Sequence, residues 1–157
     1  MNIVFLDYDG VVNTPIWDPE TGNCRYGQPW DNKVNNYQAC QWLSEFCEKY
    51  NYDIVVTSTW RIGDNYIDCL YNGGLRKTVK VLGRTVRLNN RAEEIMDYLK
   101  NHKDINKFII VDDEVIGKPF VGHTVLTRGD VGFNEEEFLA CRRLDEKLWK
   151  ELLKIVH

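Results

Sequence analysis

The sequence predicts an α/β fold, a three-layer sandwich built on a mostly parallel central sheet. Three observations predict it. Short apolar runs such as "NIVFL", "DIVV" and "KFIIV" have the length and composition of strands buried on both faces. Longer segments between them repeat apolar residues at helical spacing. The two kinds alternate along the chain, which is the pattern of βαβ units.

Taken in order, "NIVFL" (Asn2 to Leu6) is the first strand. Residues Asn13 to Asp31, "NTPIWDPETGNCRYGQPWD", are rich in Pro, Gly, Asn and Trp and read as a loop or short hairpin. From about Asn32 to Tyr50, Val34, Tyr37, Cys40, Trp42, Leu43, Phe46 and Cys47 mark one face of a helix. "YDIVVTS" is a second strand, and Asp64 to Leu70 a helix stopped by Asn72-Gly73-Gly74. "KTVKVLG" reads as a strand or half of a hairpin. "NRAEEIMDYLKNH" is a helix with Ala92, Ile95, Met96 and Leu99 on one face. "KFIIVDDE" and "HTVLT" are strands, and "NEEEFLACRRLDEKLWKELLKIV" is a long closing helix.

The 157 residues suit one domain, 1–157, with 13–31 as a short flap or insert. With 43% apolar and 28% charged residues the chain reads as a soluble globular protein. A formal charge of −4 argues against stable binding to duplex DNA. No apolar run approaches the ~20 residues that span a bilayer, so no membrane partner is expected. Five cysteines, an odd number without a C-x-x-C pair, suggest neither a disulfide framework nor a zinc knuckle. With no secretory signal evident, reduced thiols in a cytoplasm fit this best.

The chemistry concentrates at strand ends. The first strand runs into Asp7-Tyr8-Asp9-Gly10, the second into Thr57-Ser58-Thr59-Trp60-Arg61, a later one into Asp112-Asp113-Glu114. Parallel strands bring such ends to one edge, where α/β sheets bind their ligands. Clustered carboxylates raise one another's pKa, and a bound cation removes that penalty. An all-oxygen set suits magnesium. One carboxylate can then attack phosphorus and its neighbour two residues on can move the proton. Gly10 lets the backbone turn tightly beside a ligand.

These residues resemble the motifs of the haloacid dehalogenase (HAD) superfamily of phosphohydrolases: "FLDYDGVVN" its first, "IVVTSTWR" its second and "FIIVDDE" its fourth. Arg91 in "LNNRAEEI" stands where the third motif usually has lysine. The combination is further similar to small, nearly capless, Rossmann-like members, including HAD domains of nucleic-acid repair enzymes. The resemblance implies a magnesium-dependent phosphomonoesterase in which Asp7 becomes an aspartyl-phosphate and Asp9 serves as acid and base. It implies that Thr57 or Ser58, with Arg91, contacts phosphate. Arg61, read from the sequence alone, either contacts phosphate, the favoured role, or pairs with a carboxylate. Magnesium would be held by Asp7, the main-chain carbonyl of Asp9 and Asp113, with Asp112 in support. The substrate would be a phosphorylated small molecule or a nucleic-acid end.

Two other classes share such residues, a phosphorylatable receiver-like signalling domain and a HAD-fold binding module without turnover. Trp17, Tyr26 and Trp30 either flap over the site and stack on a base or pin their loop to the core. "RKTVKVLGRTVR" (Arg76 to Arg87) is a basic stretch that either steers an anionic substrate or is a solvated hairpin. His102, His123 and His157 read as structural or solvated.

Overall fold

In the computed structural model, which describes residues 1–156, five strands form one parallel sheet in the order β5-β4-β1-β6-β7. These are β1 (Asn2–Leu6), β4 (Asp53–Val56), β5 (Val81–Arg84), β6 (Lys107–Asp112) and β7 (Thr124–Leu126). The short antiparallel strands β2 (Ile16–Asp18) and β3 (Asn23–Arg25) form a separate hairpin in the segment after β1. The helices are α1 (Tyr37–Tyr50), α2 (Tyr66–Gly73), α3 (Arg91–Asn101) and α4 (Glu135–Val156). His157 lies outside the described residues.

The strands read as continuous apolar runs because both sheet faces are covered. Val4, Leu6, Ile54, Val56, Ile109 and Val111 point into a core shared with α1, α2 and α4. Ile3, Phe5, Val55 and Ile110 point the other way, against Ile95 of α3 and Phe120. The alternation has period two, so each strand feeds both layers.

Several boundaries differ from the sequence expectation, each for a local reason. Helix α1 begins at Tyr37, not near Asn32. A single helical turn at Pro29–Asp31 ends in Asn32, whose φ of 59° is left-handed. Asn36 then caps α1 by accepting the amide of Ala39. Val34 is buried without being helical, and Tyr37 is exposed. Helix α2 starts two residues late and runs on through Gly73, ending only at Gly74 with φ 122°. The basic stretch contributes a parallel strand, β5, rather than half of a hairpin. Met96 is exposed on α3, while Ala92, Ile95 and Leu99 pack inward. His102 stacks on Tyr98 and His123 on Phe108, so both are structural.

The strand order also locates the site. The chain steps from β1 outward to β4 and β5, then crosses to β6 on the other side of β1. The crevice between β1 and β6, at their carboxyl ends, is where such sheets bind ligands.

Candidate active site

Register determines which residues meet. Leu6 pairs with Val56 on one side and with Val111 on the other. The next residues, Asp7, Thr57 and Asp112, therefore leave the sheet in one row. The backbone continues the pairing: Thr57 donates its amide to the Leu6 carbonyl (2.9 Å) and Asp7 to that of Val111 (3.1 Å). Carboxylate oxygens of Asp7, Asp112 and Asp113 lie within 4.8 Å of one another.

One cation bridges this group. Arg91, the first residue of α3, places Nη1 2.6 Å from Asp112, 3.6 Å from Asp7 and 3.4 Å from the Thr57 hydroxyl. A single guanidinium does not balance three carboxylates. Burial, with Asp112 beside it, pushes the Asp7 carboxyl up to about 8 although Arg91 pulls the other way. Burial also raises Asp112 to about 6, again against Arg91. Excess negative charge in an all-oxygen donor set fits a hard divalent cation such as magnesium. Asp112 accepts from Arg91 on one oxygen and from the Glu114 amide on the other. Asp7 has only the longer contact to Arg91, and Asp113 is half-buried.

Gly10 has φ 81°, which favours glycine, and a Cβ there would strike the Asp113 carboxylate. Gly129, in the loop after β7, backs the same carboxylate: a Cβ there would come within 3.3 Å. Thr127 closes the far side by donating its hydroxyl to the Gly10 carbonyl (2.6 Å). The sequence held a signal for this loop, because "HTVLT" is another strand ending in a polar residue.

Asp9 stands apart from the three-acid group. Its Oδ1 accepts from Asn13 Nδ2 (2.8 Å) and from the indole Nε1 of Trp60 (3.1 Å). The expectation of Asp9 as a metal ligand therefore rests on its main-chain carbonyl and not on its carboxylate.

Of the two candidate hydroxyls at the end of β4, Thr57 reaches Arg91. Ser58 accepts the Trp60 amide as the cap of the helical turn Thr59–Ile62. Of the two roles open to Arg61, the structure shows the carboxylate pair, not the favoured phosphate contact. Arg61 is 5% exposed and donates to the carbonyls of Thr57, Ser58 and Thr85. It also pairs with the buried Glu94 carboxylate. Glu94 in turn accepts the Leu88 amide (3.2 Å) and lies 3.5 Å from Arg91 Nε. Arg61 thus braces the strand end. Glu94, Asn13 and Trp60 are the site residues that sequence reasoning missed.

The segment just after β3 borders the acids. Tyr26 lies close enough that its phenol, raised mainly by partial burial, is raised further by Asp113 and Asp9. Trp17 and Trp30 are 61% and 77% exposed, so they do not pin the loop. Polar side chains hold it instead: Asn13 donates to the Gly27 carbonyl (3.0 Å) and Asn65 to that of Pro29 (2.9 Å).

A parallel sheet whose first strand ends in D-x-D-G, with a hydroxyl, a cation and paired acids on adjoining strand ends, defines a HAD-type domain. A family model described as "HAD domain in Swiss Army Knife RNA repair proteins" matches residues 3–138, and the chain belongs to that family. No curated protein and no solved structure gave a significant match. No helix among the described residues is long and apolar enough to cross a membrane.

Proposed function

We propose that this HAD domain is a magnesium-dependent phosphomonoesterase that works through an aspartyl-phosphate on Asp7 and acts on a nucleic-acid end. The observation that supports it most is the unbalanced cluster of Asp7, Asp112 and Asp113 facing Arg91 and Thr57 at one sheet edge. The family's place in RNA repair favours a nucleic-acid end as substrate. We read residues 1–157 as one HAD-like domain with the hairpin as its minimal cap.

The residues divide the work. Asp7 attacks phosphorus, forming an O–P bond as the bond to the leaving oxygen breaks. Asp9 gives that oxygen a proton, then takes one from the water that hydrolyses the acyl phosphate. Asn13 and Trp60 hold Oδ1 of Asp9, leaving Oδ2 to exchange the proton. Thr57 and Arg91 hold phosphoryl oxygens, and Arg91 keeps Asp112 in place. Arg61 and Glu94 keep the ends of β4 and α3 in register. Magnesium, when bound by Asp7, Asp113 and the Asp9 carbonyl, would offset the excess carboxylate charge and the charge on the phosphoryl group.

A screen of phosphomonoesters with and without magnesium tests this: nucleotides, sugar phosphates, aryl phosphates and 3′- or 5′-phosphorylated oligonucleotides. Magnesium-dependent turnover is expected, falling about 10³-fold or more in Asp7→Asn, which removes the nucleophile. A wild type silent across the panel would overturn the reading and leave a binding module.

A further inference from the structure

Beside the acid cluster lies a cleft of about 460 Å³ between the turn Thr59–Ile62, the loop 87–90, the start of α3 and residues 114–116. Arg91 and Asp112 line it and also belong to the phosphate site, so the two are continuous. The volume is in the range of small-ligand pockets, which are about 300–1,000 Å³. Asn89 and Asn90 bring amides to the rim, while Ile62, Leu88 and Val115 expose aliphatic surface. That mixture suits a nucleoside, which has two apolar faces and a polar edge. The Leu88 amide is tied to Glu94, so the rim is held to the same brace as the catalytic strand ends.

One cation here is uncommitted. Within the basic stretch, Arg76 pairs with Glu45 and Glu48, and Lys77 sits over the Tyr71 ring. Arg84 donates to the Arg61 carbonyl and lies over Tyr66. Arg87 is exposed at the cleft and has no ion pair or side-chain hydrogen bond among the described residues. Lys80 is likewise free, but it precedes β5 and so belongs to the opposite sheet edge.

We infer that this cleft holds the terminal nucleoside of an unpaired strand and that Arg87 grips the next phosphate inward. The preferred substrate is then a phosphorylated oligonucleotide end rather than a mononucleotide, and Arg87 is the residue that sets that preference. Trp17 on β2 and Trp30 in the turn Pro29–Asp31 are not among the residues that line this cleft. The inference rests on the phosphatase reading for its substrate.

The test compares kcat/KM for a short single-stranded oligonucleotide, 3′- and 5′-phosphorylated in separate arms, with that for an aryl phosphate. In Arg87→Glu the ratio should fall about tenfold or more, mainly through KM, and the salt slope of binding should drop by about one. Lys80→Glu, with the same charge change at the far edge, should leave the ratio within about twofold. A ratio unchanged in Arg87→Glu, or a mononucleotide turned over as well as the oligonucleotide, would overturn the proposal. If the wild type hydrolyses no ester, the phosphatase reading fails by itself. Fluorescence anisotropy of a phosphorylated oligonucleotide on Asp7→Asn, with and without Arg87→Glu, then decides the cleft. Weaker binding in the double variant upholds it, and equal binding rejects it.

Discussion

The two edges of the sheet both bury charge, and they do so differently. At the amino edge, Lys107 at the start of β6 meets Asp145 of α4 at 2.6 Å, and Tyr52 donates its hydroxyl to the same carboxylate at 2.7 Å. One cation faces one anion, and the rings of Tyr52 and Trp149 flank the ammonium. At the carboxyl edge, Asp7, Asp112 and Asp113 face Arg91, whose Nε is also drawn toward Glu94. The first arrangement needs nothing more. The second leaves carboxylate charge without a matching cation among the described residues. Charge balance, more than burial, separates a structural cluster from a site poised to bind.

The sharpest way to break this comparison is to unbalance the balanced edge. Asp145→Ala strands a buried ammonium and should cost about 3–5 kcal/mol in denaturant unfolding. Replacing both partners together, Lys107→Met with Asp145→Leu, should be far milder, because no charge is left alone. Magnesium should not rescue the single variant. If Asp145→Ala were as stable as wild type, the amino-edge pair would not be the closed unit described.

A smaller effect is expected from pH at the carboxyl edge. Asp7 and Asp112 have folded values raised to about 8 and about 6 from an ordinary 3.8. Raised carboxyls favour folding while protonated. Their contribution is fully present below about pH 4 and is lost as pH rises through about 6 and then about 8. Without metal, thermal stability should therefore decline across that window beyond what the rest of the chain contributes. Asp7→Asn should flatten the decline and stabilise the metal-free protein by roughly 1–3 kcal/mol near pH 8. Magnesium should raise the melting temperature of the wild type most at high pH, with a logarithmic dependence on concentration. A metal-free stability that rises from pH 5 to pH 8, and rises equally in Asp7→Asn, would refute the imbalance.

Much of this was legible in the sequence, and the limits have physical causes. Strands buried on both faces announce themselves as unbroken apolar runs, so β1, β4 and β6 and their polar ends could be read directly. The choice between Thr57 and Ser58 could not, because it turns on the pairing of Leu6 with Val56, which is a tertiary fact. Arg61 could be left only between two roles, for a chemical reason: a guanidinium fork fits a carboxylate as well as a phosphate, and its partner Glu94 lies 33 residues on. Helix α1 began late because Asn32 and Asn36 outweigh the periodicity of Val34 and Tyr37. The Thr127–Gly10 contact spans 117 residues and could be inferred only from the general habit of parallel strand ends to converge.

The smallest effect concerns Asp9, the acid outside the cluster. Trp60 donates its indole N–H to Asp9 while its ring packs edge-on against Tyr8, with centroids 5.5 Å apart. Trp60→Phe keeps an aromatic ring against Tyr8 and deletes the donor, leaving Asn13 to hold Oδ1 alone. If Asp9 is the proton donor to the leaving oxygen, a looser carboxyl should matter most where that oxygen is hardest to expel. The kcat for an alkyl phosphate, whose leaving group is a poor one, should fall about three- to tenfold, while KM stays near wild type. An aryl phosphate with an acidic phenol needs little protonation and should lose less than about twofold. Equal losses on the two esters would mean that Trp60 supports the fold of the strand end and not the proton.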